Sequence, residues 1–151
     1  MGKGVKEYFK YCTLCGSKQY YTKGSSLKRA IEKNAICKEC FAEKNYEDMP
    51  VKWLARIKAQ ATYRKIKFNL TVEYVYELYV SQGKKCSLSG VNLFFHKNLK
   101  ECNVSVDRID SNKGYIKGNI QLVHKEINFS KWQLSQKRYI ELCKLVAEKH
   151  K

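Results

Sequence analysis

Cys12-x-x-Cys15 and Cys37-x-x-Cys40, separated by 21 residues, restrict the amino-terminal part of this chain more tightly than any hydrophobic pattern in it. Two knuckles of this spacing place four thiolates around one tetrahedral Zn²⁺, and a site closed by four sulfurs leaves no position for a substrate. The zinc is therefore expected to be structural. Disulfide pairing is the competing arrangement, but seven cysteines are an odd number and the opening MGKGVKEYFK lacks the apolar core of a secretory signal. Between the knuckles, Tyr20-Tyr21-Thr22 reads as a hairpin strand and Ser25 to Lys33 as a short helix capped by a serine. Leu27, Ala30 and Ile31 would share the face over the metal, leaving Lys28, Arg29 and Lys33 for solvent or phosphate.

Charge then narrows the partner. The 151 residues carry a formal net charge of +16, and a chain this self-repelling gains from an anionic partner, nucleic acid above all. No apolar stretch reaches the roughly 20 residues of a membrane span, so the expected location is intracellular, with no membrane contact. Glu47-Asp48-Met49-Pro50, with the one proline, reads as a boundary and helix start. The following span from Lys52 to Lys67 holds six basic residues and no acid. It reads either as a helix that contacts phosphate through residues such as Lys52 and Arg56, or as a connector whose lysines are merely solvated. Thr71 can cap a second helix ending at Gly83, with Val75, Leu78 and Tyr79 buried. A last helix, capped by Ser135 and running to about Lys149, would bury Tyr139, Leu142, Cys143, Val146 and Ala147. Cys86, Cys102 and Cys143 form no spaced set and read as buried or free thiols; His96 reads as an ordinary loop histidine.

The segment from Val104 to Lys131 holds the chemistry. Val104-Ser105-Val106-Asp107 alternates apolar and polar residues as a half-buried strand does, and Ser111-Asn112-Lys113-Gly114 is a turn cluster. Ile120, Leu122 and Val123 read as a second strand, followed by a helix from about His124. On that helix His124, Asn128 and Lys131 would share one face. The pattern brings an aspartate, an amide and an imidazole together, and carboxylate and amide oxygens suit a hard divalent cation such as Mg²⁺.

These residues resemble the ββα-metal finger of the HNH (His-Me finger) nucleases. The likeness rests on Asp107-Arg108-Ile109-Asp110, Ser111 to Tyr115, Gly118 to Gln121, and His124 with Asn128 at their joint spacing, over roughly a third of the chain. It implies a site-specific endonuclease that hydrolyses phosphodiester bonds of double-stranded DNA, of phage, homing or restriction type. Asp107 and Asn128 would hold Mg²⁺, with Mn²⁺ as a substitute, and His124 would be a third ligand or a group that orients the other two. Asn119 would brace the loop between the strands. Where most of the family has a histidine after the metal aspartate, this chain has Arg108, which stays protonated and suits a phosphate grip better than proton transfer. The general base would then be Tyr115 or His124.

The expected fold is α+β: a four-cysteine zinc module over 1–46, a basic helical linker over 47–83, and a ββα-metal core with a carboxy-terminal helix over 84–151. Lys28, Arg29, Lys52, Arg56 and Lys131 are the expected DNA contacts. One such finger cuts one strand, so double-strand cleavage would call for a homodimer or two successive events. The competing function is a zinc-containing DNA-binding protein that no longer cuts, which the missing histidine beside Asp107 favours.

Overall fold

In the computed structural model, which describes residues 7–151, Tyr8–Tyr11 (β1) and Lys18–Tyr21 (β2) pair antiparallel, with Tyr8 opposite Tyr21. Most of the opening stretch read for a secretory signal, residues 1–6, lies outside the described residues. The turn of this hairpin is the first cysteine knuckle. Cys12 N–H donates to the Ser17 carbonyl at 2.8 Å and Gly16 N–H to the Cys12 carbonyl at 2.9 Å, with Gly16 at φ +71°, where a Cβ would be strained. Gly24–Glu32 (α1) and Lys38–Glu43 (α2) follow. The serine cap expected for α1 is not made: Lys23 holds the cap position, and Ser25 and Ser26 lie inside the first turn.

Contacts divide the chain into two units, one ending at Lys44 and the other running from Asn45 to Lys151. Among the described residues of the first unit only Cys12 and Cys37 are buried, and Ile31, expected over the metal, is exposed. A unit of this size without an apolar interior needs another source of stability, commonly a bound metal.

The second unit opens with a small hairpin, Asn45–Tyr46 (β3) against Met49–Pro50 (β4), and Met49 is fully buried. Pro50 leads into Val51–Tyr63 (α3), where its missing N–H is harmless because the first helical turn has no internal acceptor for it. Phe68–Asn69 (β5) precedes Val72–Ser81 (α4), capped by the Thr71 hydroxyl accepting from Tyr74 N–H at 3.2 Å. Residues 47–83 thus supply α3 and α4, whose Trp53, Leu54, Val75 and Tyr79 join one hydrophobic cluster with the strands that follow.

Those strands are Val104–Arg108 (β6), Tyr115–Ile116 (β7) and Ile120–His124 (β8), followed by the helices Lys125–Lys131 (α5) and Gln136–Lys149 (α6). β6 and β8 pair antiparallel with Val106 opposite Leu122 and Asp107 opposite Gln121. Because strand side chains alternate, Val104, Val106 and Leu122 enter the core while Ser105, Asp107 and Gln121 share the other face. The Gln82 side chain satisfies the outer edge of β8, donating to the Leu122 carbonyl at 2.9 Å and accepting from Leu122 N–H at 3.0 Å. The loop between β6 and β8 is pinned by a parallel pairing of β7 with β5. Gly114 is required there because a Cβ would run into the Lys67 carbonyl oxygen, the acceptor of Tyr115 N–H.

One feature differs from the periodicity. The stripe expected to be buried on α6 is not: Cys143, Val146 and Ala147 are exposed, with Tyr139 and Leu142 half-buried, because only the start of α6 meets the body. There Gln136 accepts from Gln121 and the Tyr139 hydroxyl meets Ser130. Trp132, which closes α5, sits at φ +49°, a conformation a bulky residue adopts at a cost of roughly 1–3 kcal/mol. Trp132→Gly is expected to relieve that strain, lose part of the gain to chain entropy, and raise stability by about 1 kcal/mol. A thermal midpoint higher by a few degrees would be the readout. Among the described residues no helix is long and apolar enough to cross a membrane.

Candidate functional site

The four knuckle cysteines converge. Their sulfurs all lie within 4.8 Å of one another, Cys15 and Cys37 at 3.6 Å, and none is in a disulfide. With Zn–S bonds of about 2.3 Å, a tetrahedral site has S···S edges of about 3.8 Å, so these thiols are spaced for a metal. The local backbone favours thiolate: Cys37 N–H donates to Cys12 Sγ and Cys40 N–H to Cys37 Sγ, both at 3.3 Å. The Cys37 and neighbouring knuckle amides hold the Cys12 thiol down at about 6, while the Cys15 and Cys37 sulfurs push the Cys40 thiol well up. The Cys12 and Cys15 thiols are shifted toward ionisation while those of Cys37 and Cys40 are pushed up, because four adjacent sulfurs cannot all carry negative charge without a cation among them, which is what a bound divalent metal would supply.

In the second unit an open cleft of about 1060 Å³ is lined by Asp107, Arg108, Tyr115 and Asn128 among others. Helix geometry explains the meeting. Asn128 and Lys131 are three residues apart on α5, close to one turn, and face Ser105 and Asp107, two residues apart on β6. Asn128 Nδ2 donates to Ser105 Oγ at 2.7 Å, and no described residue donates to its Oδ1. The Asp107 carboxylate, 4% exposed, accepts from Lys131 Nζ at 3.0 Å on Oδ1 and from Gln121 Nε2 at 2.8 Å on Oδ2. Asp107 and Asn128 thus bring a carboxylate and an amide oxygen to the same cleft, oxygen chemistry of the kind a hard divalent cation takes. The ammonium of Lys131 is the cation already in contact with the carboxylate.

Lys131 therefore needs correction as a DNA contact. It is 0% exposed, paired with Asp107, and also donates to the Arg108 carbonyl at 3.3 Å, so its charge is spent inside the protein. Arg108 likewise turns first to its own loop: Nη1 donates to the carbonyls of Ser111 at 2.7 Å and Lys113 at 2.8 Å, and the guanidinium lies 5.4 Å from the Tyr115 ring centre. Its other donors meet no acceptor among the described residues. Asn119 does not line the cleft; it accepts from Asp110 N–H at 3.0 Å and donates to the carbonyls of Asp110 and Gly114. His124 is outside the cleft as well. It ends β8 rather than sitting within α5, and its Nδ1 accepts from Glu126 N–H at 3.4 Å as the helix cap. Sequence periodicity placed His124 on the Asn128 face; capping turns the ring toward the helix start instead.

Gln121 is a site residue that the sequence reading missed, although it ends the segment Gly118 to Gln121. It bridges Asp107, Gln136 and the Ser87 hydroxyl, which donates to Gln121 Oε1 at 2.8 Å. A lone amide within the apolar run Ile120 to Val123 was the available signal, since strand pairing sets it opposite Asp107. Of the expected DNA contacts, Lys28 and Arg29 are exposed on α1 and Arg56 on α3, while Lys52 is half-buried. Cys86 and Cys102 are buried thiols, Cys143 is exposed, and His96 lies in a loop beside Glu101. No protein-family model, curated protein or solved structure matches the chain.

Proposed function

We propose that this chain is a metal-dependent endonuclease of the HNH type acting on double-stranded DNA, with its four cysteines holding a structural zinc. The observation that carries the reading is the cleft that joins a buried carboxylate, Asp107, to an amide oxygen, Asn128, beside Arg108 and Tyr115 in a chain of net charge +16. Asp107 and Asn128 would hold Mg²⁺, which when bound polarises the scissile phosphate and stabilises the departing 3′ oxygen. Arg108, anchored through Nη1, keeps its remaining donors for a phosphate oxygen. Tyr115 lines the cleft and His124 does not, so Tyr115 is the residue that orients the attacking water. The water oxygen bonds to phosphorus, the bond from phosphorus to the 3′ oxygen breaks, and the products are a 5′-phosphate and a 3′-hydroxyl. Gln121 and Lys131 are positioning residues that fix the carboxylate. The exposed Lys28, Arg29 and Arg56, with Lys52, supply phosphate contacts whose strength falls with salt.

Asn128→Ala is expected to slow Mg²⁺-dependent cleavage of duplex DNA by roughly 10²-fold or more. Single-turnover rates measure this, with end-labelling of the products as the check on bond polarity; an unchanged rate would remove Asn128 from the site.

One observation favours a second reading, a DNA-binding protein that does not cut: Lys131 already neutralises Asp107. Under it, DNA binding persists, and no divalent metal yields cleavage.

A further inference from the structure

The rim of the Asp107 cleft carries two large aromatic side chains that the proposed chemistry does not use. Phe129 is 78% exposed and Trp132 70% exposed, and both line the cleft that contains Asp107 and Asn128. Neither makes a ring contact with another aromatic residue among those described, whereas in the core Trp53 and Tyr79 each meet Phe95 edge to face. Their exposure is not a by-product of a loose end. Phe129 lies within α5, the helix that Asn128 and Lys131 fix to β6, and Trp132 closes that helix at φ +49°, a backbone position held against the preference of a bulky side chain. Arg64, Arg108 and Lys125 line the same cleft against Asp107 and Asp110, and Asp107 is already neutralised by Lys131, so the balance of charge there is cationic. Flat apolar faces among cations, in a chain of charge +16, match a ligand that is anionic along its backbone and flat and apolar at its side groups.

We propose that Phe129 and Trp132 form a base-stacking platform on the cleft rim, so that the DNA taken there has a base step opened next to the phosphate in the cleft. The proposal rests on the DNA reading above. In an intact duplex the base faces are covered by their neighbours, so aromatic side chains reach them only by wedging into a step or by meeting bases already unpaired. The platform therefore predicts a preference for duplex DNA carrying an unpaired or bulged position over fully paired duplex of the same length.

The test uses the full chain loaded with zinc and without added Mg²⁺, so that binding is read apart from cleavage. The probes are a fully paired duplex, the same duplex with a two-base bulge, and single-stranded oligothymidylate. Trp132 is exposed and Trp53 buried, so quenching of tryptophan emission on binding reports Trp132. Expected are quenching by the bulged duplex and by the single strand, and roughly tenfold or greater tighter binding of the bulged than the paired duplex. Phe129→Ala with Trp132→Ala should abolish that preference while still binding paired duplex, and Trp132→Phe should keep it. Equal affinity for bulged and paired duplex without quenching, or a preference that survives the alanine pair, overturns the platform and leaves the nuclease reading standing. Failure of the folded protein to bind any of the three DNAs overturns both.

Discussion

Lys131→Met is expected to cost the second unit about 3–5 kcal/mol, because it leaves the buried Asp107 carboxylate with Gln121 as its one described donor. Asp107→Asn is expected to cost a similar amount for the converse reason, an ammonium buried without a counter-charge. The double variant removes both charges and keeps the volume, so it should recover to within about 1–2 kcal/mol of the wild type. Urea unfolding of the four proteins measures the coupling, and additive losses would mean that the pair is not the unit it appears in the fold. Mg²⁺ tests whether the Asp107 site binds metal as well as holding the ion pair. If Asp107 and Asn128 bind the metal, added Mg²⁺ should raise the thermal midpoint of Lys131→Met more than that of the wild type, since the metal then supplies the missing positive charge.

Removing the metal from the cysteine cluster should have the second large effect. In the described residues up to Lys44 only Cys12 and Cys37 are buried, so the hairpin and two short helices have no apolar interior to fall back on. A structural zinc in such a unit contributes apparent binding free energy on the order of 10–16 kcal/mol at pH 7, far above what this unit could supply by burial. A strong chelator, or Cys37→Ser, is therefore expected to unfold the first unit. The second unit has its own cluster around Trp53, Tyr79 and Leu122 and should keep its cooperative transition. Limited proteolysis with and without chelator reads both at once: rapid cleavage before Lys44 with a protected remainder is the expected pattern. Unchanged protection of the first unit after complete metal removal would contradict a structural metal.

What could be read in the sequence follows from which forces are local. The cysteine spacing is local chemistry, and the four sulfurs converge. The alternation of Val104 to Asp107 and the Thr71 cap are local too, and β6 and α4 lie where those signals put them. Partnerships across the fold were not legible. That Lys131 would turn inward depends on the match between one helical turn and two strand residues, which no helical wheel shows. A wheel reads such a lysine as solvated, especially in so basic a chain. Gln121 stands out in the sequence as a lone amide in an apolar run, but its partner, Asp107, is given only by the strand register. His124 was displaced by one residue of helix boundary, enough to change a face position into a cap. The apolar stripe of α6 failed for the opposite reason: the pattern is present, but beyond its first turns the body ends. The two-residue strands β5 and β7 are too short to carry any period, yet they hold the loop that positions Tyr115.

The most direct measurement is the conversion of supercoiled plasmid by zinc-loaded wild type and by the Asp107→Asn/Lys131→Met double variant, with and without Mg²⁺, below both unfolding midpoints. The account predicts Mg²⁺-dependent nicking or linearisation by the wild type and a rate lower by roughly 10³-fold in the folded double variant. Equal cleavage by both would place the activity elsewhere than at Asp107. Binding without cleavage by the wild type, across several divalent metals and plasmids of varied sequence, would contradict the nuclease and leave a DNA-binding protein.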